Sequence, residues 1–255
     1  MQNNLDNKII SEYKSNSQKI RVMSETWTGE NIFCPNCGCD ISNYENNKPV
    51  ADFFCEQCLE EFELKSKKGK IGKKINAGAY SSMIQRINSI DKPNFFFMNY
   101  DDKDYFISDF FVIPKYFFTP AIIEKRKALS KTAKRAGWIG SNILFYKIPN
   151  SGKIFYIENG QEISKKQVIY KWSKTAFIRE IKKDNLKGWI LDIMNCIESL
   201  DKQEFSLQEI YIFEKDLKVL HPENKNIKAK IRQQLQFLRE KKYIQFIERG
   251  KYRLR

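Results

Sequence analysis

The sequence predicts a mixed α/β domain followed by a smaller domain of three helices and a hairpin. Three observations carry this reading. Short β-type apolar runs are separated by a helical pattern between residues 50 and 114, a polar break falls at 179–188, and helical periodicity with a terminal turn signal follows it. At 255 residues the chain has room for a catalytic-sized domain and a small second one, here 1–182 and 183–255. A hydrophobic share of 42% with 30% charged residues excludes a disordered chain. No apolar run has signal-peptide or bilayer length, so the chain is expected in the cytoplasm, away from membranes.

In order along the chain, VADFF (50–54) and EEFELK (60–65) read as strands. Alternate strand residues share a face, so Glu63 and Lys65 project together while Phe62 and Leu64 face the other way. GAYSSMIQRINSI (78–90) has helical spacing at Tyr80, Met83, Ile84 and Ile87, and Pro93 stops it. NFFFMNY (94–100) reads as a buried strand, and DDKD turns the chain into a second, YFISDFFVIP, ending at Pro114. The phenylalanines here are core.

Beyond the linker REIKKDNLKG (179–188), a first helix is predicted over Trp189–Leu200, with Trp189 and Cys196 on its apolar face. Ser206 and Glu209 form a capping box that opens a second helix, running to about Leu220. A third begins near Asn226, with Ile227, Ile231, Leu235 and Leu238 on one face. YIQFIE and KYRLR then form two strands around a turn at Arg249–Gly250. Three helices and a hairpin make a winged helix-turn-helix, in which the third helix enters the major groove of DNA. Its polar face carries Lys225, Lys228, Arg232, Gln233 and Gln236, with Gln suited to adenine edges and Arg or Lys to guanine and phosphate.

Four of the six cysteines form Cys34-x2-Cys37 and Cys55-x2-Cys58. In a chain without an export signal this spacing reads as Zn²⁺ rather than disulfides. Two such turns close a tetrahedron of thiolates, a structural site with no position left for substrate. Cys39 leaves an alternative ligand in the first pair; the CxxC geometry favours Cys37. If the strands on either side of Cys55–Cys58 are neighbours, Asp52 lies beside Glu63 and Lys65. Two carboxylates at a sheet end make an oxygen-rich site for Mg²⁺, and a lysine there holds water or phosphate. By itself D-x10-E-x-K is a weak pattern in so charged a chain. The basic run KSKKGKIGKK after it, and an excess of 14 Lys and Arg over Asp and Glu, favour a polyanionic partner.

FCPNCG, ENNKPVADFFCEQCLEEFELKSKKG, INAGAY, KPNFFF, KRAGWIG, WILDIMNCI, IKAKIRQQLQFLR and RGKYR follow one another in the order seen in a known family. The chain thereby resembles the DpnI-type methyl-directed (type IIM) restriction endonucleases of the PD-(D/E)xK superfamily, over nearly its whole length. The resemblance implies an α/β PD-(D/E)xK nuclease core with an inserted zinc site, plus a C-terminal winged helix-turn-helix domain. It implies cleavage of double-stranded DNA at GATC carrying N6-methyladenine. Asp52 and Glu63 would be Mg²⁺ ligands, Lys65 the catalytic lysine, and Cys34, Cys37, Cys55 and Cys58 the Zn²⁺ ligands. Both domains would recognise the methylated site. The superfamily's usual proline before the first acid is absent, since Ala51 precedes Asp52 and Pro49 lies three back.

In the catalytic domain SKTAKRAGWIGSN (130–142) is the candidate DNA contact, with Lys134, Arg135 and Trp138 in a glycine-flanked basic loop. Trp138 there walls a methyl pocket or, alternatively, is a core residue at a turn. A monomer without an obligate protein partner is expected. The competing functions are a repair or recombination nuclease of the same superfamily and a zinc-containing winged-helix regulator that does not cut.

Overall fold

The computed structural model describes residues 3–6, 15–44, 51–89 and 91–255. Val50 and Pro49, at and before the predicted start of the first strand, lie outside them, as does most of the N-terminal stretch. The chain divides into two compact units, residues 1–145 with 151–173, and residues 146–150 with 174–255.

The first unit is built on a curled seven-stranded sheet. Its strands, in spatial order, are β1 (Ser42–Asn43), β2 (Phe53–Phe54), β3 (Glu61–Lys68), β5 (Asn94–Tyr100), β6 (Ile107–Ile113), β9 (Ile154–Glu158) and β10 (Gln161–Glu162). β2 and β3 are antiparallel neighbours, joined by the turn that holds Cys55 and Cys58. β3 and β5 run parallel, which requires a crossover. The crossover consists of β4 (Lys74–Ala79) and α2 (Tyr80–Asn88). β4 belongs to a separate three-stranded sheet with β7 (Ile123–Lys125) and β8 (Gly140–Leu144), ordered β4-β8-β7.

Strand alternation divides the aromatic core between two faces. Phe62, Phe96 and Phe110 turn to one side, against Met23 and Trp27 of α1 (Asn16–Asn31) and Trp172 of α3 (Lys165–Thr175). Phe62 stacks on Phe96 with centroids 4.6 Å apart, and Trp27 meets Phe110 at 5.5 Å. The other face carries Glu63 and Lys65 in register with Phe95 and Phe97, and Phe97 in register with Phe111. β5 is therefore buried on both sides, as its unbroken apolar run demands.

In the second unit α4 (Asp184–Ser199) begins five residues before the predicted Trp189. Asp184 supplies the acidic first turn, a stabilising charge at a helix N-terminus that the polar composition of 179–188 disguised. The Ser206–Glu209 capping box forms with both of its hydrogen bonds. The helix it opens does not run unbroken to Leu220. It divides into α5 (Leu207–Tyr211) and α6 (Glu214–Leu220). Between them Ile212 and Phe213 donate to carbonyls three residues back, a tightened turn that leaves Ile212 exposed while Ile210 and Leu217 stay buried. α7 (Ile227–Glu240) buries Ile227, Ile231, Leu235 and Leu238 together with Gln234. β12 (Ile244–Glu248) and β13 (Lys251–Leu254) form the hairpin, turned through Gly250 at φ +76°. A third strand, β11 (Glu204–Ser206), pairs with β13 to complete a three-stranded wing. Trp189 is buried and stacks on His221, centroids 3.8 Å apart, and Cys196 is buried on the same helix. No helix among the described residues is long and apolar enough to cross a membrane.

Candidate metal centres and nucleic-acid interface

The two CxxC segments fold into matching turns. In each, the carbonyl of the first cysteine accepts from the backbone N–H four residues on, Cys34 from Gly38 at 2.8 Å and Cys55 from Leu59 at 2.9 Å. Each turn ends on a left-handed residue, Gly38 at φ +81° and Leu59 at φ +59°. The first turn is anchored from outside: Trp172 Nε1 donates to Asn36 Oδ1 at 3.1 Å, and Tyr156 Oη donates to the Phe33 carbonyl at 2.8 Å.

The turns bring Cys34, Cys37, Cys55 and Cys58 together with all four sulfurs within 4.8 Å of one another. The Cys34–Cys58 and Cys37–Cys55 pairs lie at 3.4 Å, well beyond the roughly 2 Å of a disulfide. Four convergent thiols with no other donor type make a closed tetrahedral set, and this cluster can hold a zinc ion. Cys39 is exposed and stands outside the group. Burial pushes the Cys34 and Cys55 thiols up. Burial also opposes ionisation of Cys58, but hydrogen bonds from Asn36 and the Glu60 backbone and its thiol neighbours outweigh that and bring it down.

The same turn connects the two acids. Asp52 donates its backbone N–H to the Phe62 carbonyl at 2.9 Å, extending the β2–β3 ladder by one residue. Its Oδ2 accepts the Leu64 N–H at 2.7 Å, so its carboxylate is fixed against β3 beside Glu63. Burial raises the Asp52 pKa above the ordinary range, the Glu63 charge adds to this, and the Leu64 N–H, Arg21 and Lys65 offset only part of it. Lys65 Nζ donates to Glu63 Oε1 at 2.7 Å and lies 5.5 Å from the centre of the Phe95 ring. Glu63 Oε2 is buried, without a hydrogen-bond partner among the described residues, and lies 2.9 Å from Arg86 Nη2 of α2. A half-buried pair of carboxylates with one oxygen unsatisfied suits a hard divalent cation. Beside Lys65 opens a cleft of about 470 Å³ between β3 and β4, into which Lys67 and Lys74 also face.

Arg86 is the participant that sequence reasoning missed. Its helix is legible in the sequence, but one arginine among 45 basic residues carries no mark that it meets Glu63. Arg21 and Glu25, paired at 2.7 Å on α1, add their charges near Asp52 and were equally unmarked.

Residues 126–139 form the tip of the β7–β8 hairpin. Arg126 donates to the Gly140 carbonyl at 3.0 Å and Leu129 to that of Trp138 at 2.9 Å, which continues the ladder outward. The half-exposed Trp138 packs the Cζ3–Cη2 edge of its indole over Gly140, where any Cβ would come within 2.8 Å of it. The Arg135 guanidinium stands 4.6 Å from the ring centre on the tip. Trp138 is thus a half-exposed residue of the hairpin tip, and Lys134 and Arg135 beside it are exposed. The hairpin is tied to α2, since Tyr80 donates its N–H to the Ile139 carbonyl at 3.0 Å.

On α7 and the turn before it, Lys225, Lys228, Arg232, Gln233 and Gln236 are all exposed, opposite the buried stripe. Arg232 donates to Tyr211 Oη at 2.7 Å, Gln233 Oε1 accepts from Lys230 at 2.8 Å, Gln236 donates to Glu240 Oε1 at 3.0 Å and Lys228 Nζ lies 3.5 Å from Glu214 Oε2, so four of these five side chains have neighbours that orient them.

A mixed α/β unit with a cysteine cluster and a paired-acid site, joined to a helix-turn-helix unit, has the build of a DNA-directed protein. The family model described as DpnI, Dam-replacing family, matches residues 1–181, and that described as Dam-replacing HTH domain matches residues 185–254. The chain belongs to the Dam-replacing family, the DpnI-type methyl-directed restriction enzymes.

Proposed function

We propose that the protein is a Mg²⁺-dependent type II endonuclease that cuts double-stranded DNA at GATC when adenine carries an N6-methyl group. The observation that carries this reading is the grouping of Asp52, Glu63 and Lys65 on adjacent strands within the part of the chain that matches the family. The catalytic domain is residues 1–182 and the winged-helix domain residues 183–255, with DNA the partner of both.

Hydrolysis adds water across a P–O bond: the water oxygen bonds to phosphorus, and the departing oxygen leaves with a proton. Asp52 and Glu63 would hold Mg²⁺, which when bound supplies the positive charge that stabilises the pentavalent phosphorus. Lys65, held at 2.7 Å from Glu63, orients the attacking water or a phosphate oxygen. Lys67 and Lys74, lining the adjacent cleft, attract the flanking backbone. The cysteine cluster, with zinc bound, fixes the turn that sets Asp52 beside Glu63 and takes no part in the chemistry.

Burying one methyl group contributes about 0.8 kcal/mol, roughly a fourfold preference. A nuclease that spares unmethylated DNA needs more than one such contact. Two readers meet that need: Trp138 with Lys134 and Arg135 on the hairpin tip, and Lys225, Lys228, Arg232, Gln233 and Gln236 at α7. The half-exposed indole, seated by its edge on Gly140 with the Arg135 guanidinium over its ring, supplies an aromatic and cationic surface suited to a methylated base edge.

Plasmid DNA from adenine-methylating and non-methylating hosts, incubated with the protein and Mg²⁺, tests the reading. Fragmentation at GATC of the methylated plasmid alone is expected. Equal cutting of both would remove the methyl requirement, and intact plasmid in both would remove the nuclease.

A further inference from the structure

Glu63 is contacted by two cations, one on each oxygen. Lys65 donates to Oε1 at 2.7 Å, and Arg86 Nη2 lies 2.9 Å from Oε2. Oε2 is shut off from solvent and has no hydrogen-bond partner among the described residues, so Arg86 meets it as a charge rather than along a hydrogen-bond line. Asp52, Glu63, Lys65 and Arg86 together sum to zero formal charge. Lys65 and Arg86 therefore already balance the two carboxylates that a divalent cation would need. Of the two cations at Glu63, Arg86 is the more exposed, 29% against 22% for Lys65, and it comes from α2 rather than from the strand that carries the acid.

We propose that Arg86 gates divalent-cation binding. In DNA-free protein its guanidinium stands in for a cation at Glu63 Oε2. An arriving phosphate, whose oxygens match the guanidinium fork, draws it away and leaves the carboxylate open to the metal. Metal and DNA then bind tightly only together, which keeps metal off the site while substrate is absent. Arg86 is a positioning residue in this scheme. The inference rests on the reading of Asp52 and Glu63 as metal carboxylates.

The test is Mn²⁺ binding to DNA-free, zinc-loaded protein, followed by the paramagnetic resonance of free Mn²⁺. A unit charge about 6 Å from a divalent ion opposes it by roughly tenfold in affinity even at a water-like dielectric. Arg86→Met and Arg86→Gln should each tighten Mn²⁺ binding by about that factor, and Arg86→Lys, which keeps the charge, should stay near wild type. Two neutral variants guard against a misfolded one, and circular dichroism checks each. Wild-type affinity in both folded neutral variants would overturn the gate, provided Glu63→Gln still abolishes Mn²⁺ binding. If Glu63→Gln leaves Mn²⁺ binding untouched, the carboxylates are not the metal site, and the reading beneath the gate falls with it.

Discussion

Cys55 and Cys58 belong to a cluster built from two local turns, whereas Asp52 and Glu63, at either end of the second turn, depend on partners from distant elements. The cysteines converge because each CxxC closes on its own backbone hydrogen bond, and the two turns are near copies. The acids are held by a β2–β3 register and balanced by Lys65 from the same strand and Arg86 from α2. One centre is closed, with all its ligands supplied by the two turns. The other is left partly unsatisfied, as a site must be if its ligand is to come and go.

Breaking the closed centre should produce the largest effect. Structural zinc contributes on the order of 10–16 kcal/mol of apparent binding energy in small peptides, comparable to the whole stability of a typical domain. Cys58→Ser, or removal of zinc by a chelator, is therefore expected to unfold the first unit. Cleavage should vanish with it even in excess Mg²⁺. Thermal unfolding followed by circular dichroism, with and without chelator, checks this; an unchanged transition would show that the cluster holds no structural metal.

A smaller effect separates the two turns from each other. Gly38 sits at φ +81°, and an added Cβ would approach Lys165 and Ile169 side chains at 3.0 Å. Leu59 takes the equivalent position at φ +59° with a side chain 78% exposed, so it bears left-handed strain without compensating burial. Gly38→Ala should destabilise by about 1–2 kcal/mol. Leu59→Gly should stabilise by about 0.5 kcal/mol, the relieved strain less the entropy of a new glycine. Denaturant titration of both variants measures the pair, and the same sign for both would deny that the turns are equivalent.

This contrast also sets what the sequence made legible. The CxxC pairs, the Ser206–Glu209 capping box and the alternation of Glu63 and Lys65 on one strand face are local, with spacing dictated by a turn, a helix end or a pleat. The apolar density of NFFFMNY was legible for the same reason, and it forms the strand Asn94–Tyr100. Contacts made across the fold were not. β4 follows a basic run, with only Lys74 in both, and pairs with β8, about 65 residues on, so nothing near it announces a second sheet. α1 is mostly polar, and only Met23, Ser24, Trp27 and Thr28 are buried. Arg86 depends on where α2 lands. The break at Ile212–Phe213 answers to packing of Ile210 and Leu217 on the core, which continuous helical periodicity did not reveal.

The central claim is that the acid pair, not the cysteine cluster, performs the cutting. Single-turnover cleavage of a duplex with N6-methylated GATC, by zinc-loaded Asp52→Asn protein in saturating Mg²⁺, tests it most directly. The duplex is expected to be fully bound while the rate falls by about a hundred- to a thousandfold, the scale set by removing one electrostatic stabiliser of a transition state. A wild-type rate from the bound duplex would contradict it.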